Sequence, residues 1–232
     1  QNKIFAKVSL ALFFFLFIFA LSSPTLATTY YVSTSGNDSN PGTMSSPWRT
    51  IKKAANTMTA GDTVIVSAGT YAERVSVNTG GASGNVITYA AQSGNTVKIN
   101  GFDLNTNYVV VDGFTIENQS GVGWKGVIYV NADYVVVRNC VMDNISFSSG
   151  SPVICANTSA NYCTLDNLAI KNVTGDGAQG VQVLGSHNIV SNSEFYNFIG
   201  ADGIHLHGDH NSISGNSFYN WFWPADTHPH MD

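Results

Sequence analysis

All six histidines of this chain fall between residues 187 and 230, and two of them sit in the phrase ADGIHLHG at 201–208. Read as an extended strand, the phrase places Ile204 and Leu206 on one face and His205 and His207 on the other. The aliphatic pair needs a core, so the imidazoles face outward one pleat apart, with Asp202 just before them. Carboxylate and imidazole groups on one surface are the equipment of general acid–base catalysis. The same residue types are ordinary in turns, which is the simpler reading of Asp209, His187 and His210. For Asp202, His205 and His207 both readings stand. The closing segment WFWPADTHPHMD adds Trp221, Phe222 and Trp223, then His228, His230 and Asp232. Its aromatic rings can stack on sugars or pack a longer turn against the body of the protein.

These groups depend on a repeat for their placement. One eight-residue phrase recurs as VDGFTIEN at 111–118, VRNCVMDN at 137–144, LDNLAIKN at 165–172, VSNSEFYN at 190–197 and ISGNSFYN at 213–220. An aliphatic residue opens each copy, Gly or Asn follows two positions later, and a large apolar residue comes sixth. Asparagine closes every copy, at intervals of 26, 28, 25 and 23 residues. A period in this range, built from short β-rich runs, predicts a solenoid whose turns stack along one axis. A second phrase precedes the last two copies, AQGVQVLGSHN at 178–188 and ADGIHLHGDHN at 201–211. Two strand-like pieces per turn, joined by a turn-former, describe a parallel β-helix coil. Its aliphatic columns point inward and its asparagines stack as a ladder. If that ladder is buried, Asn172→Ala costs ~1–3 kcal/mol through the unpaired amides it leaves.

At the other end, Lys3 and Lys7 precede an apolar run from Val8 to Leu21 and then SSPTLA. That order predicts a signal peptide over 1–27 and an exported, secreted or periplasmic, protein. The run is about 14 residues, short of the ~20 that span a bilayer. Removing Lys3 and Lys7 leaves eight basic residues against fifteen acidic ones, a net charge of −7. Such a chain has no electrostatic footprint for nucleic acid. Cys140, Cys155 and Cys163 are odd in number and read as small buried hydrophobes. Between 28 and 61, Ser46-Pro47 followed by Trp48, Ile51, Ala55 and Met58 predicts an amphipathic helix near 47–59. Laid over the first coil, it serves as a cap (28–61), with coils running from 62 to 232.

The run YYVSTSGNDSNPG…PWRTIKKAA…AGDTVIVSAGTY resembles the opening of right-handed parallel β-helix proteins of the pectate-lyase-like superfamily. It is most similar to the family-nine type of polysaccharide lyase. The resemblance implies a secreted monomer acting on an acidic polysaccharide by β-elimination, assisted by Ca²⁺, with no membrane partner once the signal is removed. It also implies a cleft on the outer face of the sheet carrying Asp202, His205 and His207, with Trp221, Trp223, His228 and His230 as substrate-binding residues. Asp232 then occupies the next coil's equivalent of Asp202, and the two carboxylates become the expected metal ligands. A glycosidase and a non-catalytic adhesive solenoid remain the alternatives, because this architecture hosts many activities. Lyases of the superfamily commonly use Lys or Arg as base, and no such residue follows Lys171. The repeat runs into the last residues, so the solenoid is expected to be incomplete at its C-terminal end.

Overall fold

The structure, a computed structural model, describes residues 27–147 and 150–222. The predicted signal segment, Trp223, His228, His230 and Asp232 lie outside the described residues, apart from Ala27.

Every pair of named strands is parallel, and the chain winds as an all-β solenoid, as the repeat requires. One sheet has eight strands, from Thr29–Val32 at one end to Ser212–Ser214 at the other. A second has nine strands, two of them on a side branch, and its longer members bend. Ala169–Val183 runs straight on from one ladder to the next, with a register shift between Thr174 and Ala178. Each mature coil therefore carries three strands rather than the two expected from the phrases. The extra corner falls inside the eight-residue phrase, at its Gly/Asn column. Gly113, Asn139, Asn167, Asn192 and Gly215 all have φ between 50° and 84°. A left-handed residue turns the chain there, and only glycine, or asparagine with its short polar side chain, takes that conformation readily.

The aliphatic columns face inward as expected. Val111, Val137, Leu165 and Val190 stack as one buried column, and Ile116, Met142, Ile170 and Phe195 as another. Each such side chain, fully buried, contributes ~1.5–3 kcal/mol. The three cysteines are free and buried. Burial pushes their thiols up, to about 12 for Cys140 and about 11 for Cys155 and Cys163, so they stay protonated and inert.

The closing asparagines do form a ladder, but an exposed one. Asn144 donates to Asn118 (2.7 Å), Asn197 to Asn172 (2.9 Å) and Asn220 to Asn197 (3.1 Å), while Asn172 reaches past Asn144 to Asp143 (2.6 Å). All five have φ between 53° and 59°. The cost of Asn172→Ala accordingly arises from backbone strain rather than burial, about 1–2 kcal/mol for a left-handed alanine. Asn172→Gly is expected to recover most of it in urea denaturation. Equal losses in the two variants would assign the effect to the amide bonds instead.

A third left-handed column is formed by Tyr108, Tyr134, Tyr162, His187 and His210. Their rings stack successively at 4.9, 5.3, 4.8 and 4.9 Å. His187 and His210 are therefore turn residues that extend a tyrosine stack.

The helix is shorter than predicted, Ile51–Ala55. Ser46 and Pro47 do not start it, because Trp48 is held extended against the first strand: its N–H donates to Tyr31 O and its carbonyl accepts from Ser33, both at 2.9 Å. Thr50 is the N-cap instead. Glu73 accepts from the N–H groups of Ile51 (3.1 Å) and Lys52 (2.9 Å), tying the helix start to the strand Gly69–Val77. Ile51, Ala54 and Ala55 are buried against the first coil.

Candidate functional site

Three rows of side chains run along the outer side of the face that carries Val181, Val183 and Ile204. In the first, register places Ser76, Asp103 and Tyr129 in line, then Cys155, Gln182 and His205. In the second, backbone hydrogen bonds connect the positions of Asn78, Asn105, Asn131, Asn157, Leu184 and His207. Asn105 donates to Asn78 (3.1 Å) and Asn157 to both Asn131 (2.9 Å) and the Tyr129 hydroxyl (2.8 Å). The third row comprises Pro152, Gln179 and Asp202. His205 and His207 are exposed, with ring centroids 4.3 Å apart. Val181 and Val183, the coil below, are fully buried; in register above them Ile204 packs partly buried on the core, while Leu206, on the last described coil, is 39% exposed.

Asp202 reaches the face by a different route. Strict alternation from His205 would turn it inward. A Cβ on Gly203 would lie 2.7 Å from Phe218 Cε1, and one on Gly180 would lie 2.9 Å from Phe195 Cδ1, so both glycines face the core. Val181 and Ile204, next in sequence, also pack on the core. Two consecutive inward positions break the alternation, and Gln179 and Asp202 point outward in register. Glycine permits this because nothing larger fits between the coils.

The surroundings of Asp202 favour a ligand with oxygen-seeking or hydrogen-donating groups. Among the described residues its carboxylate has no ion pair or hydrogen bond. Gln179, 8% exposed, donates its amide N–H to Gly177 O (2.6 Å), and its Oε1 has no partner among the described residues. A buried carbonyl oxygen left unpaired costs ~1–3 kcal/mol, so Gln179 Oε1 is available to accept from a donor or to ligate a cation. Carboxylate and amide oxygens are the donors that Ca²⁺ takes, in sets of about 6–8. Asp202 and Gln179 fit one edge of such a set. Among the described residues no cluster of three or more His, Cys, Asp or Glu completes it.

Lower on the face, burial, then the neighbouring Cys155 and Asp103, push the Tyr129 phenol up, so it stays neutral. Lys171, the last basic residue, sits on another face beside Asp143 (3.3 Å), and among the described residues no lysine or arginine accompanies Asp202.

A family profile described as "Pel9A-like, right handed beta helix region" matches residues 30–153, just over half of the chain. The chain belongs to this family. The hand of the solenoid and the pectate-lyase-like resemblance follow with it. Among solved structures, the Pel9A-like coil is similar to that of "Crystal structure of pectate lyase Pel9A" (TM-score 0.55, 17% identity, 74% of this chain and 54% of that one). It is similar also to a rhamnogalacturonan lyase (TM-score 0.51, 14% identity, 83% of this chain and 63% of that one). At these identities the likeness is one of fold. "Uncharacterized protein YwoF" of Bacillus subtilis (strain 168) is 33% identical over 103 residues, 39% of this chain and 22% of that protein. The chain thus spans a quarter or less of this relative and between half and two thirds of those two structures.

Within the Pel9A-like fold, Asp202, His205 and His207 come together on one face, and Trp221 does not join them. Trp221 continues the inward column of Val173 and Phe198, its ring 4.5 Å from Phe198 and its N–H donated to Ala201 O (2.5 Å). It packs rather than opens to a sugar because its strand, Ser217–Phe222, stays in the repeat's register. The 23-residue offset of the second phrase stacks Asp202 on Gln179, as the structure has it, but sequence reasoning gave Gln179 no role and missed Tyr129.

Among the described residues no helix is long and apolar enough to cross a membrane.

Proposed function

We propose that this chain forms the substrate-binding coils of an exported polysaccharide lyase that cleaves uronate-containing chains by β-elimination. The observation that carries the reading is the outward grouping of Asp202, His205 and His207 on one face of a Pel9A-family solenoid. The names of two similar structures, a pectate lyase and a rhamnogalacturonan lyase, support it. With no lysine or arginine among the described residues at that end of the face, an imidazole of His205 or His207 takes the base role. It removes the proton on the carbon α to the uronate carboxylate. The C–H electron pair forms the C4–C5 double bond as the C4–O4 bond breaks, and O4 leaves with a proton from solvent or the second imidazole. Ca²⁺ held by Asp202 and Gln179 Oε1 would supply positive charge for the uronate carboxylate.

The test is to incubate the protein with pectate, alginate and neutral glycans while following unsaturated-product absorbance and reducing ends. Absorbance rising with new ends is the expected result. A His205→Ala, His207→Ala double variant should lose it by at least ~10²-fold, the usual weight of a general base. New ends without absorbance would identify a glycosidase. Silence on the whole panel would leave a binding solenoid.

A further inference from the structure

We propose that the loop carrying Trp124 and Lys125 is a separate subsite that binds one carboxylated sugar of a chain extending toward Asp202. The loop joins the strands Thr115–Ser120 and Ile128–Val130 and borders an open cleft of about 480 Å³. Arg74, Asn100, Gln119, Trp124, Lys125 and Gly126 are among its walls. The loop is held in place before any ligand arrives. Arg74 Nη1 donates to Gly126 O (2.9 Å) while Nε and Nη2 grip Asp103 (3.0 and 2.8 Å). The Trp124 ring meets Tyr129 edge-on, 5.4 Å between centroids at 84°. It is nevertheless 60% exposed, so the fixed indole still offers open ring surface.

Charge distinguishes the ligand. Arg74, Lys98, Arg138 and Lys171 each have a carboxylate partner. Lys125 has none among the described residues; Arg49, Lys52 and Lys53 also lack an ion pair, but of these four only Lys125 lines the cleft. Its ammonium lies instead 5.6 Å from the Trp124 ring centroid and 5.0 Å from that of Tyr129. An uncompensated ammonium beside an open indole, with the Asn100 and Gln119 amides nearby, suits a pyranose bearing a carboxylate. The sugar ring stacks on the indole, the amides take hydroxyls and Lys125 pairs with the acid. Tyr129 lies in the row of His205, three rungs away, or ~14 Å at one inter-strand spacing per rung. Tyr129 and Cys155 of that row are themselves buried, so an oligosaccharide of that length reaches both ends by passing over them. The inference rests on the carbohydrate reading above.

Binding of trigalacturonate and of a neutral galactose trisaccharide should be measured by calorimetry without calcium. The wild type, Trp124→Ala and Lys125→Gln proteins are compared, with circular dichroism to confirm folding. Wild type is expected to prefer the acidic trisaccharide. Lys125→Gln should weaken that ligand about tenfold, the loss of one charge-assisted contact, and leave the neutral one unchanged. Trp124→Ala should weaken both. No trigalacturonate binding, or wild-type affinity in Lys125→Gln or Trp124→Ala, overturns the proposal. Binding that depends on Trp124 and Lys125 in a protein without lyase activity would keep the subsite and remove the lyase reading. Turnover with no dependence on either residue would do the reverse.

Discussion

Gly185→Ala is expected to destabilise the solenoid by ~3 kcal/mol or more, at the upper end of what overpacking costs. A Cβ at this position would lie 2.0 Å from Ala160 O and 2.8 Å from Ala160 C, both backbone atoms of the coil before. Neither side can retreat. Leu184 N–H donates to Ala156 O (2.8 Å) and Ser186 N–H to Asn161 Oδ1 (2.9 Å), pinning Gly185 between them. Asn188 Nδ2 holds Ala160 O from the other direction (2.8 Å). The next coil repeats the contact, since a Cβ on Gly208 would lie 1.9 Å from Gly185 O. For a domain of this size, ~3 kcal/mol lowers Tm by ~6–12 °C. Gly123→Ala is the control: nothing lies within 4 Å of its added Cβ and its φ is not positive, so a change within ~0.5 kcal/mol is expected. If thermal denaturation separates the two variants by less than ~1 kcal/mol, the coils are not clamped as described.

Calcium should stabilise the wild-type protein, and Asp202→Asn should remove most of that gain. For one site the stabilisation is RT ln(1 + [L]/Kd), ~2.7 kcal/mol at a hundredfold excess over Kd. Asp202 is half-buried, points outward and has no protein partner among the described residues, so its amide replacement leaves the packing intact. Gln179→Leu probes the same site differently. It removes the unpaired Oε1, so in calcium-free buffer it should cost little, while the calcium-dependent rise in Tm shrinks. A flat Tm across a calcium titration of wild type, or an equal rise in Asp202→Asn, would remove the metal from the proposal.

The sequence by itself determined the class of architecture. Five gapless copies of one phrase, with an aliphatic residue opening each and asparagine closing each, admit a stacked coil and little else, because a fixed period imposes the same burial on every turn. It also determined that His205 and His207 share a face, since side-chain alternation along a strand is local geometry. The buried, unpaired cysteines were legible for the same reason: Cys140 lies within a repeat phrase and Cys163 falls on the column of Val135.

Tertiary structure alone decided the rest. The corner inside the eight-residue phrase depends on φ, and Gly or Asn at a position permits a left-handed residue without requiring one. The tyrosine–histidine stack followed the 26, 28, 25 and 23 spacing openly, yet its meaning needed the axial distance of ~4.9 Å that only stacked coils supply. Ser46-Pro47 carried a helix-start signature, and bridging of Trp48 to the first strand overrode it. Asp202 owes its outward position to Gly203 facing Phe218, a contact between residues on different coils that no strand-parity argument contains. Trp124 and Lys125 lie in a loop outside every repeat column. Their contacts with Tyr129 are local in sequence, but the Arg74 bond to Gly126 that fixes the loop joins separate coils and comes from winding, which local sequence does not encode.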